Sequence, residues 1–325
     1  MSFRYGLVGL VLASGLVGCD DGGASGGESG GSTTDGALIE HVVAPAATDS
    51  SIDAWLDDHY AHYDTHVAAR GRLLVHLPGS YGKPVNSLRY LKAVAAAGDH
   101  VIGLRYPNTW EVMDLCASAT ELSCFENVRL EIIDGTDRSS LVAVNAANSI
   151  INRLTRMLQY LDQNYPTEGW GQYLIGGQPD WSRIAMSGHS QGGGHAAVIG
   201  KYYMLDRVLM FGAPGDSNGN GIAPWQNRNH VTLTAGYYGF NHYRDAWPMK
   251  LAVWTLLGLA DYGAAVDIDA VAPPYGNSHM LYTDALPATG SYDDAHGAVI
   301  NDDKTPLLPD GTPLYAPVWR YLCCS

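Results

Sequence analysis

Short apolar runs separated by amphipathic segments set the rhythm of the chain from about residue 70 onward. Runs that are rich in aliphatic and aromatic side chains and bounded by glycine, proline or polar residues are typical of buried strands. On this basis we predict strands at 72–77, 100–105, 183–186, 207–211, 230–237 and 279–283.

Segments with helical periodicity lie between these runs. The longest is 140–165, where apolar side chains recur on one face until Pro166 ends the pattern. We predict further helices at 88–97, 196–203 and 246–259. A strand, a glycine-containing loop, a helix and a second strand form a βαβ unit, which indicates a parallel sheet. The pattern therefore predicts an α/β fold with a mostly parallel central sheet flanked by helices.

One region interrupts this alternation. Residues 109–139 have mixed polarity and contain two cysteines. An insertion of this kind between a strand and a helix is often an excursion above the sheet. We predict that this segment forms a possible cap.

The first 36 residues have the composition of an export signal followed by a tether. Arg4 precedes an apolar stretch at 7–17, which ends in Leu16-Val-Gly-Cys19. This order is typical of a signal peptide, and the last four residues resemble the lipobox of bacterial lipoproteins. We predict a signal peptide at 1–18 and a lipid on Cys19. The alternative is a plain secretory signal in which Cys19 has no role.

The residues after Cys19 favour the anchored alternative. Residues 19–37 are rich in Gly, Ser, Asp and Thr, so they bury too little apolar surface to fold and predict a flexible tether. We assign 38–325 to one large domain, exported and held by lipid on the periplasmic or cell-surface face of a bacterial membrane. The formal charge of −14, with 19 Lys and Arg that form no block, argues against binding to nucleic acid.

Four cysteines lie in the predicted domain. We favour a Cys116–Cys124 disulfide that closes a local loop, because exported proteins can hold disulfides. Adjacent cysteines do not bond each other easily without strain, so we expect that Cys323 and Cys324 are not joined and that one of them pairs elsewhere or stays free. A zinc site is not favoured, because the sequence has no C-x-x-C spacing.

Gly188-His-Ser190-Gln-Gly192 lies where a predicted strand turns into a predicted helix of small residues. A G-x-S-x-G pattern in this position is typical of a nucleophile elbow, a strained turn that exposes a reactive serine. The flanking glycines fit, since a Cβ atom there would collide with neighbouring elements. In a chain with 38 glycines the alternative is an ordinary glycine turn.

A serine hydroxyl needs a base to remove its proton and an acid to orient that base. In folds with a nucleophile elbow the chain order is serine, acid, histidine. For the acid we prefer Asp245 and keep Asp216 as the alternative. For the base we prefer His296, which follows the last predicted strand, over His279, which begins that strand.

Backbone N–H groups complete the predicted site. The residue after the nucleophile, Gln191, supplies the first oxyanion donor, and the loop after strand 72–77 supplies the second, for which we choose Ser80. This chemistry requires neither a metal nor an organic cofactor. Asp216, Asn218 and Asn220 match the first half of a calcium loop, but Asn227 stands where the closing Glu should be. A polar turn is the preferred interpretation there.

Together, the strand order, the elbow and the late histidine resemble the α/β-hydrolase superfamily over most of residues 70–325. The turn at 211–215 is similar to the one that a class of lipases has after the elbow, and residues 242–248 are similar in placement to the acid segment of that class. Residues 124–129 and 192–195 resemble an uncharacterised bacterial subgroup of α/β-hydrolases. The Leu-Pro-Gly-Ser80 loop departs from the HGGG loop of many esterases. The resemblance implies a serine hydrolase that cleaves small-molecule or lipid esters through an acyl-enzyme on Ser190. An amidase or peptidase with the same residues, and a non-catalytic surface-binding lipoprotein, remain the alternatives.

Overall fold

A nine-stranded sheet runs through residues 37–324, the part of the chain that the computed structural model describes. The strands are β1 (Leu38–Val43), β2 (His59–Asp64), β3 (Leu73–Leu77), β4 (His100–Gly103), β5 (Ile184–His189), β6 (Arg207–Phe211), β7 (Tyr237–His242), β8 (Val266–Asp267) and β9 (Met280–Thr283). The strand order is β1-β2-β4-β3-β5-β6-β7-β9-β8. Antiparallel pairing joins β1 to β2 and β2 to β4, and the other neighbours pair in parallel.

Helices connect these strands and flank the sheet. The α-helices are α1 (Pro45–Thr48), α2 (Leu88–Ala95), α3 (Val112–Leu115), α4 (Ser123–Asp134), α5 (Ile150–Asn164), α6 (Gln191–Tyr202), α7 (Trp247–Leu256), α8 (Ala295–Ala298) and α9 (Ala316–Cys324). Short 3₁₀ turns lie at Pro84–Ser87, Ala146–Asn148, Trp170–Tyr173, Trp181–Arg183, Pro224–Asn227, Thr234–Gly236, Leu259–Tyr262, Tyr275–Asn277 and Tyr292–Asp294. Two small hairpins pair Leu174–Ile175 with Gln178–Pro179 and Ser217–Asn218 with Gly221–Ile222.

Two hydrophobic cores lie on opposite faces of the sheet. Because side chains alternate along a strand, Leu73 and Val75 of β3 join one core and Leu74 joins the other. Helices α4, α5 and α6 contribute to the first core, and α2 and α9 contribute to the second. The predicted α/β class, with a mostly parallel sheet covered by helices, is therefore confirmed.

Several side chains of residues 109–139, the segment predicted as a possible cap, pack into the main core. Val112, Cys116 and Phe125 are fully or almost fully buried there. The predicted Cys116–Cys124 disulfide is present and joins the end of α3 to the start of α4. One side of the segment therefore contributes to the core, and its start, near α3, borders the site described below.

Two predicted elements are wrong in their positions. The predicted strand 230–237 is a loop and a 3₁₀ turn. The loop is held because the Thr232 hydroxyl donates to Tyr203 O (2.7 Å) and accepts from Leu205 N (2.8 Å). The strand β7 starts only at Tyr237. The predicted helix 140–165 begins ten residues late, at Ile150, where the Ser149 side chain accepts a hydrogen bond from Asn152 N and so caps the helix.

The expectation for Cys323 and Cys324 is also wrong, since the structure joins the two neighbours in a disulfide within the last turn of α9.

A buried ion-pair network holds α9 at the amino end of the sheet. Arg72, just before β3, binds the carboxylates of Asp99 (2.8 Å) and Asp206 (2.9 Å). The same guanidinium donates to the carbonyl of Cys323, and Arg70 donates to that of Cys324 (2.9 Å). The last helical turn thus has its free carbonyl groups satisfied by arginine side chains.

The predicted signal peptide, Cys19 and all of the tether up to residue 36 lie outside the described residues. Within 37–324, no helix has the length and apolar character that a membrane crossing requires. The predicted lipid anchor therefore stays a prediction.

Candidate active site

Ser190 is held in a strained conformation between β5 and α6. Its backbone has φ 52° and ψ −119°, a combination that residues other than glycine rarely adopt. Two hydrogen bonds fix it: Ser190 N donates to Phe211 O (2.8 Å), and Gly194 N donates to Ser190 O (3.1 Å). The structure therefore places the serine at a sharp turn from strand to helix, at the carboxyl ends of the parallel strands.

The glycines on either side of Ser190 are required by close backbone approach. A Cβ atom on Gly188 would lie 2.1 Å from the carbonyl carbon of Gly192. A Cβ atom on Gly192 would lie 2.1 Å from Leu77 O, on the neighbouring strand. No side chain fits at either position without moving the backbone. This packing favours the elbow over an ordinary glycine turn.

Asp245 and His296 come together beside this turn. Asp245 follows β7, and His296 lies in the short helix α8. His296 Nδ1 is 2.8 Å from Asp245 Oδ2, and the His296 side chain is 41% exposed. Burial acts to raise the pKa of Asp245, but the hydrogen bond and charge of His296 and the nearby Lys250 outweigh it and leave that pKa below its ordinary value. Asp245 is thus an ionised partner for one ring nitrogen of His296.

Two cavities meet at Ser190. The first has a volume of about 230 Å³ and is lined by Ser190, Asp245 and His296. The second, of about 200 Å³, lies towards the loop after β3 and also contains Ser190 and His296. No hydrogen bond joins Ser190 Oγ to His296 in the part of the chain that the structure describes; such contacts often tighten only when substrate binds.

The backbone N–H groups of Gln191 and Ser80 are free to bind an anion. Neither has a hydrogen-bond acceptor among residues 37–324. Gln191 is the first residue of α6, where N–H groups point outward and the helix dipole favours negative charge. In the loop after β3, Tyr81 N instead donates to Asn108 O (2.7 Å), which removes Tyr81 as a donor. Ser80 and Gln191 are also linked, through Ser80 Oγ and Gln191 Oε1 (3.3 Å).

His189 supports His296, and we did not single it out in the sequence. His189 Nε2 lies 2.9 Å from His296 O, and the two ring centroids are 4.7 Å apart. Burial, followed by the charge of His296, holds the pKa of His189 well below its ordinary value. A neutral ring with its proton on Nε2 therefore donates to the carbonyl and fixes the backbone of His296. Its position directly before Ser190 is the only sequence signal for this role.

Lys250 is a second residue that the sequence did not indicate. Its buried Nζ atom donates to Gly212 O (2.7 Å), and the side chain borders the first cavity. Burial lowers the pKa of this ammonium group, although Asp245 and Asp216 oppose the effect. Its position in α7, one turn after Asp245, brings a positive charge near the carboxylate.

Asp216, the alternative acid, is not paired with a histidine. Its fully buried carboxylate binds Arg129 through two hydrogen bonds (2.6 and 2.5 Å), and Oδ2 also accepts from Trp225 Nε1 (2.9 Å). The side chains of Asn218 and Asn220 donate to the carbonyl of Ala119. The three residues of the weak calcium-loop match therefore serve contacts inside the protein and do not converge on one point.

This buried pair gives a stability prediction. Replacing Asp216 with Asn leaves the Arg129 charge without its counter-ion, so we expect the free energy of unfolding to fall by about 3 kcal/mol. Urea denaturation followed by circular dichroism measures the change. The matched control is Asp134→Asn, which breaks the half-exposed Asp134–Arg138 pair and should cost less than about 1 kcal/mol. Equal losses in the two variants would contradict the structural role of Asp216.

His279, the alternative base, lies at the other end of the sheet. It immediately precedes β9, and its Nδ1 is 2.9 Å from Tyr237 O at the start of β7. Its ring stacks on Tyr238 and Tyr262, and burial lowers the pKa of His279 to about 4. The structure thus keeps this histidine neutral and apart from Ser190.

Comparison of the chain with protein-family models and with curated proteins finds no match. Any functional interpretation consequently depends on the site itself, since one fold can carry many activities. The site consists of a half-buried serine at two adjoining cavities, a paired histidine and carboxylate, and two free N–H groups. The Ser80 N–H group follows β3, and Ser190 and Gln191 follow β5. Asp245 follows β7, and His296 lies in α8.

Proposed function

We propose that this protein is a serine hydrolase of the α/β-hydrolase superfamily that cleaves small carboxylic esters. The observation that carries the proposal is the 2.8 Å contact between His296 Nδ1 and Asp245 Oδ2 at a cavity that also contains Ser190. The chain order serine, aspartate, histidine and the strained turn at Ser190 are those of this superfamily. The parallel strands that carry the serine and the acid fit the same assignment.

In the first half of the reaction, His296 Nε2 takes the proton of Ser190 Oγ as the oxygen attacks the ester carbonyl. A bond forms between Oγ and the carbonyl carbon, and the bond from that carbon to the alcohol oxygen breaks. His296 then gives its proton to the departing alcohol. Asp245 holds the proton on Nδ1 and stabilises the positive ring, while the N–H groups of Gln191 and Ser80 bind the developing oxyanion.

In the second half, water replaces the alcohol. His296 takes a proton from the water, the resulting oxygen nucleophile attacks the acyl carbon, and the bond to Ser190 Oγ breaks. The proton on His296 returns to Oγ, and the carboxylic acid leaves. Every step uses groups of the protein and water.

The volumes of the cavities favour short substrates. Pockets for drug-sized ligands usually measure about 300–1,000 Å³, whereas the two cavities at Ser190 measure about 230 and 200 Å³. We therefore favour esters with short acyl and alcohol groups over long-chain lipid esters. Attachment to a bacterial membrane through a lipid on Cys19, with the domain on the periplasmic or cell-surface face, remains part of the proposal.

A fluorophosphonate probe tests this function, because it forms a stable bond only with an activated serine nucleophile. We expect one probe per folded molecule, located on Ser190 by peptide mass spectrometry, and no labelling of Ser190→Ala. The control is Ser217→Ala, which should label like the wild type. Folded protein that takes up no probe would support the non-catalytic alternative instead.

A further inference from the structure

Glu111 occupies a place that the proposed mechanism does not use. It is exposed, and it borders both cavities that meet at Ser190. Among the described residues, its carboxylate has no hydrogen-bond or ion-pair partner, and it does not cap the helix α3 that follows it. The side chain is therefore available to a bound ligand.

The other charged groups at the first cavity are already balanced. Arg129 is bound to Asp216, and Asp245 is bound to His296. Lys250 is buried with its Nζ atom on Gly212 O, and its positive charge is offset by the nearby negative charge of Asp245, since each group shifts the pKa of the other towards the charged form. Since opposite charges held close together present little net charge to a ligand, the accessible charge that residues 37–324 place at this cavity is that of Glu111.

Within the described part of the chain, the second cavity has no basic side chain in its lining other than the histidines of the site. Its remaining polar lining includes the amide side chains of Asn86 and Asn301 beside Glu111. The negative charge of Glu111 attracts an ammonium group, whether or not that group carries N–H donors, and repels a second carboxylate. The amide side chains can donate or accept hydrogen bonds, so they oppose neither charge. The cavity thus suits a positively charged group and not a negatively charged one.

Glu111 is also fixed in position relative to the serine. The next residue, Val112, donates its backbone N–H to Gln191 Oε1 (3.1 Å), and Gln191 directly follows Ser190. The same oxygen accepts from Ser80 Oγ (3.3 Å). One glutamine side chain therefore ties the segment of Glu111 to the elbow and to the loop with the second oxyanion donor.

From this arrangement we propose that the substrates are small esters that carry a positive charge, such as an ammonium group, near the scissile bond, and that Glu111 selects them. The inference rests on the proposed hydrolase function and adds the substrate class. Glu111 binds the cationic part while Ser190 attacks the carbonyl. Esters that carry a carboxylate in the same place are disfavoured.

Three thioesters of similar size test the proposal: acetylthiocholine, neutral 3,3-dimethylbutyl thioacetate and anionic 3-(acetylthio)propanoate. The released thiol is measured with a disulfide dye. For each variant we compare the ratio of kcat/KM for acetylthiocholine to kcat/KM for the neutral thioester. We expect the wild type to prefer acetylthiocholine. Glu111→Gln should lower the ratio by roughly threefold to fivefold, the size of an exposed charge contact, and Glu111→Lys should shift the preference towards the anionic thioester.

The matched control is Glu121→Gln. Glu121 is exposed in the same segment but borders neither cavity, and its substitution changes the net charge by the same amount. Its ratio should equal that of the wild type. Unchanged ratios in both Glu111 variants, in an enzyme that cleaves the neutral thioester, would overturn the role of Glu111 alone. Cleavage of the neutral thioester no faster than by Ser190→Ala would instead overturn the hydrolase function.

Discussion

Ser190→Ala is expected to lower kcat for ester hydrolysis by about 10⁵- to 10⁶-fold, because the acyl-enzyme can no longer form. His296→Ala should cost a similar factor, since without the base the hydroxyl stays protonated. The double variant should be little worse than either single one, because the two groups act as a unit. The activities of the two single variants and the double variant are measured as initial rates on p-nitrophenyl acetate. Each rate is divided by the concentration of folded protein.

His66 offers a matched control for the histidine. It pairs with Asp64 (2.7 Å) much as His296 pairs with Asp245, but it lies exposed next to the end of β2. His66→Ala should keep wild-type activity. Full activity in either Ser190→Ala or His296→Ala would rule out the proposed mechanism.

Asp245→Asn is expected to lower kcat by about 10⁴-fold with little change in fold. An amide in this place can donate to Nδ1 of His296, which leaves the ring in the wrong tautomer and without a negative charge beside it. In serine proteases the same replacement has an effect of this size. The measurement is the rate on p-nitrophenyl acetate together with the urea midpoint.

Asp216→Asn is the natural comparison, because it changes the other candidate acid in the same way. It should lose stability, as argued above, while its folded fraction keeps far more activity than Asp245→Asn. The reverse order, with Asp216→Asn the less active folded protein, would make Asp216 the acid and contradict the assignment of Asp245.

The local pattern around Ser190 was sufficient to predict the turn. A buried strand, glycines at 188 and 192 and a small-residue helix all constrain the same few residues, and the structure has that arrangement. The prediction worked because the cause is local: close backbone packing that only glycine permits. The α/β class followed from the same kind of evidence.

Strand β7 was missed because its sequence is a poor strand by propensity. Gly239 and Asn241 are both disfavoured in strands, yet each has a distant reason. A Cβ atom on Gly239 would lie 2.4 Å from the ring of Trp254. The Asn241 amide donates to Asp245 O (2.8 Å) and so holds the loop of the acid. Neither contact is visible until the chain is folded.

The contributions of Arg129, His189 and Glu111 were also out of reach of the sequence. Arg129 binds Asp216 from a helix far away along the chain, and His189 acts on a carbonyl group. Glu111 lies in a segment without clear periodicity. Their roles depend on which loops meet at the carboxyl end of the sheet, a property of tertiary packing that no short pattern records.

The separation between the two ends of the sheet has a consequence for engineering. Arg72 and its two aspartates lie at the amino end, while Ser190 lies at the carboxyl end. The five residues of β3 put roughly 17 Å between them at about 3.3 Å per residue. Substitutions that far apart usually combine additively. Directed evolution can therefore raise thermal tolerance through substitutions at the amino end without changing the turnover rate at Ser190.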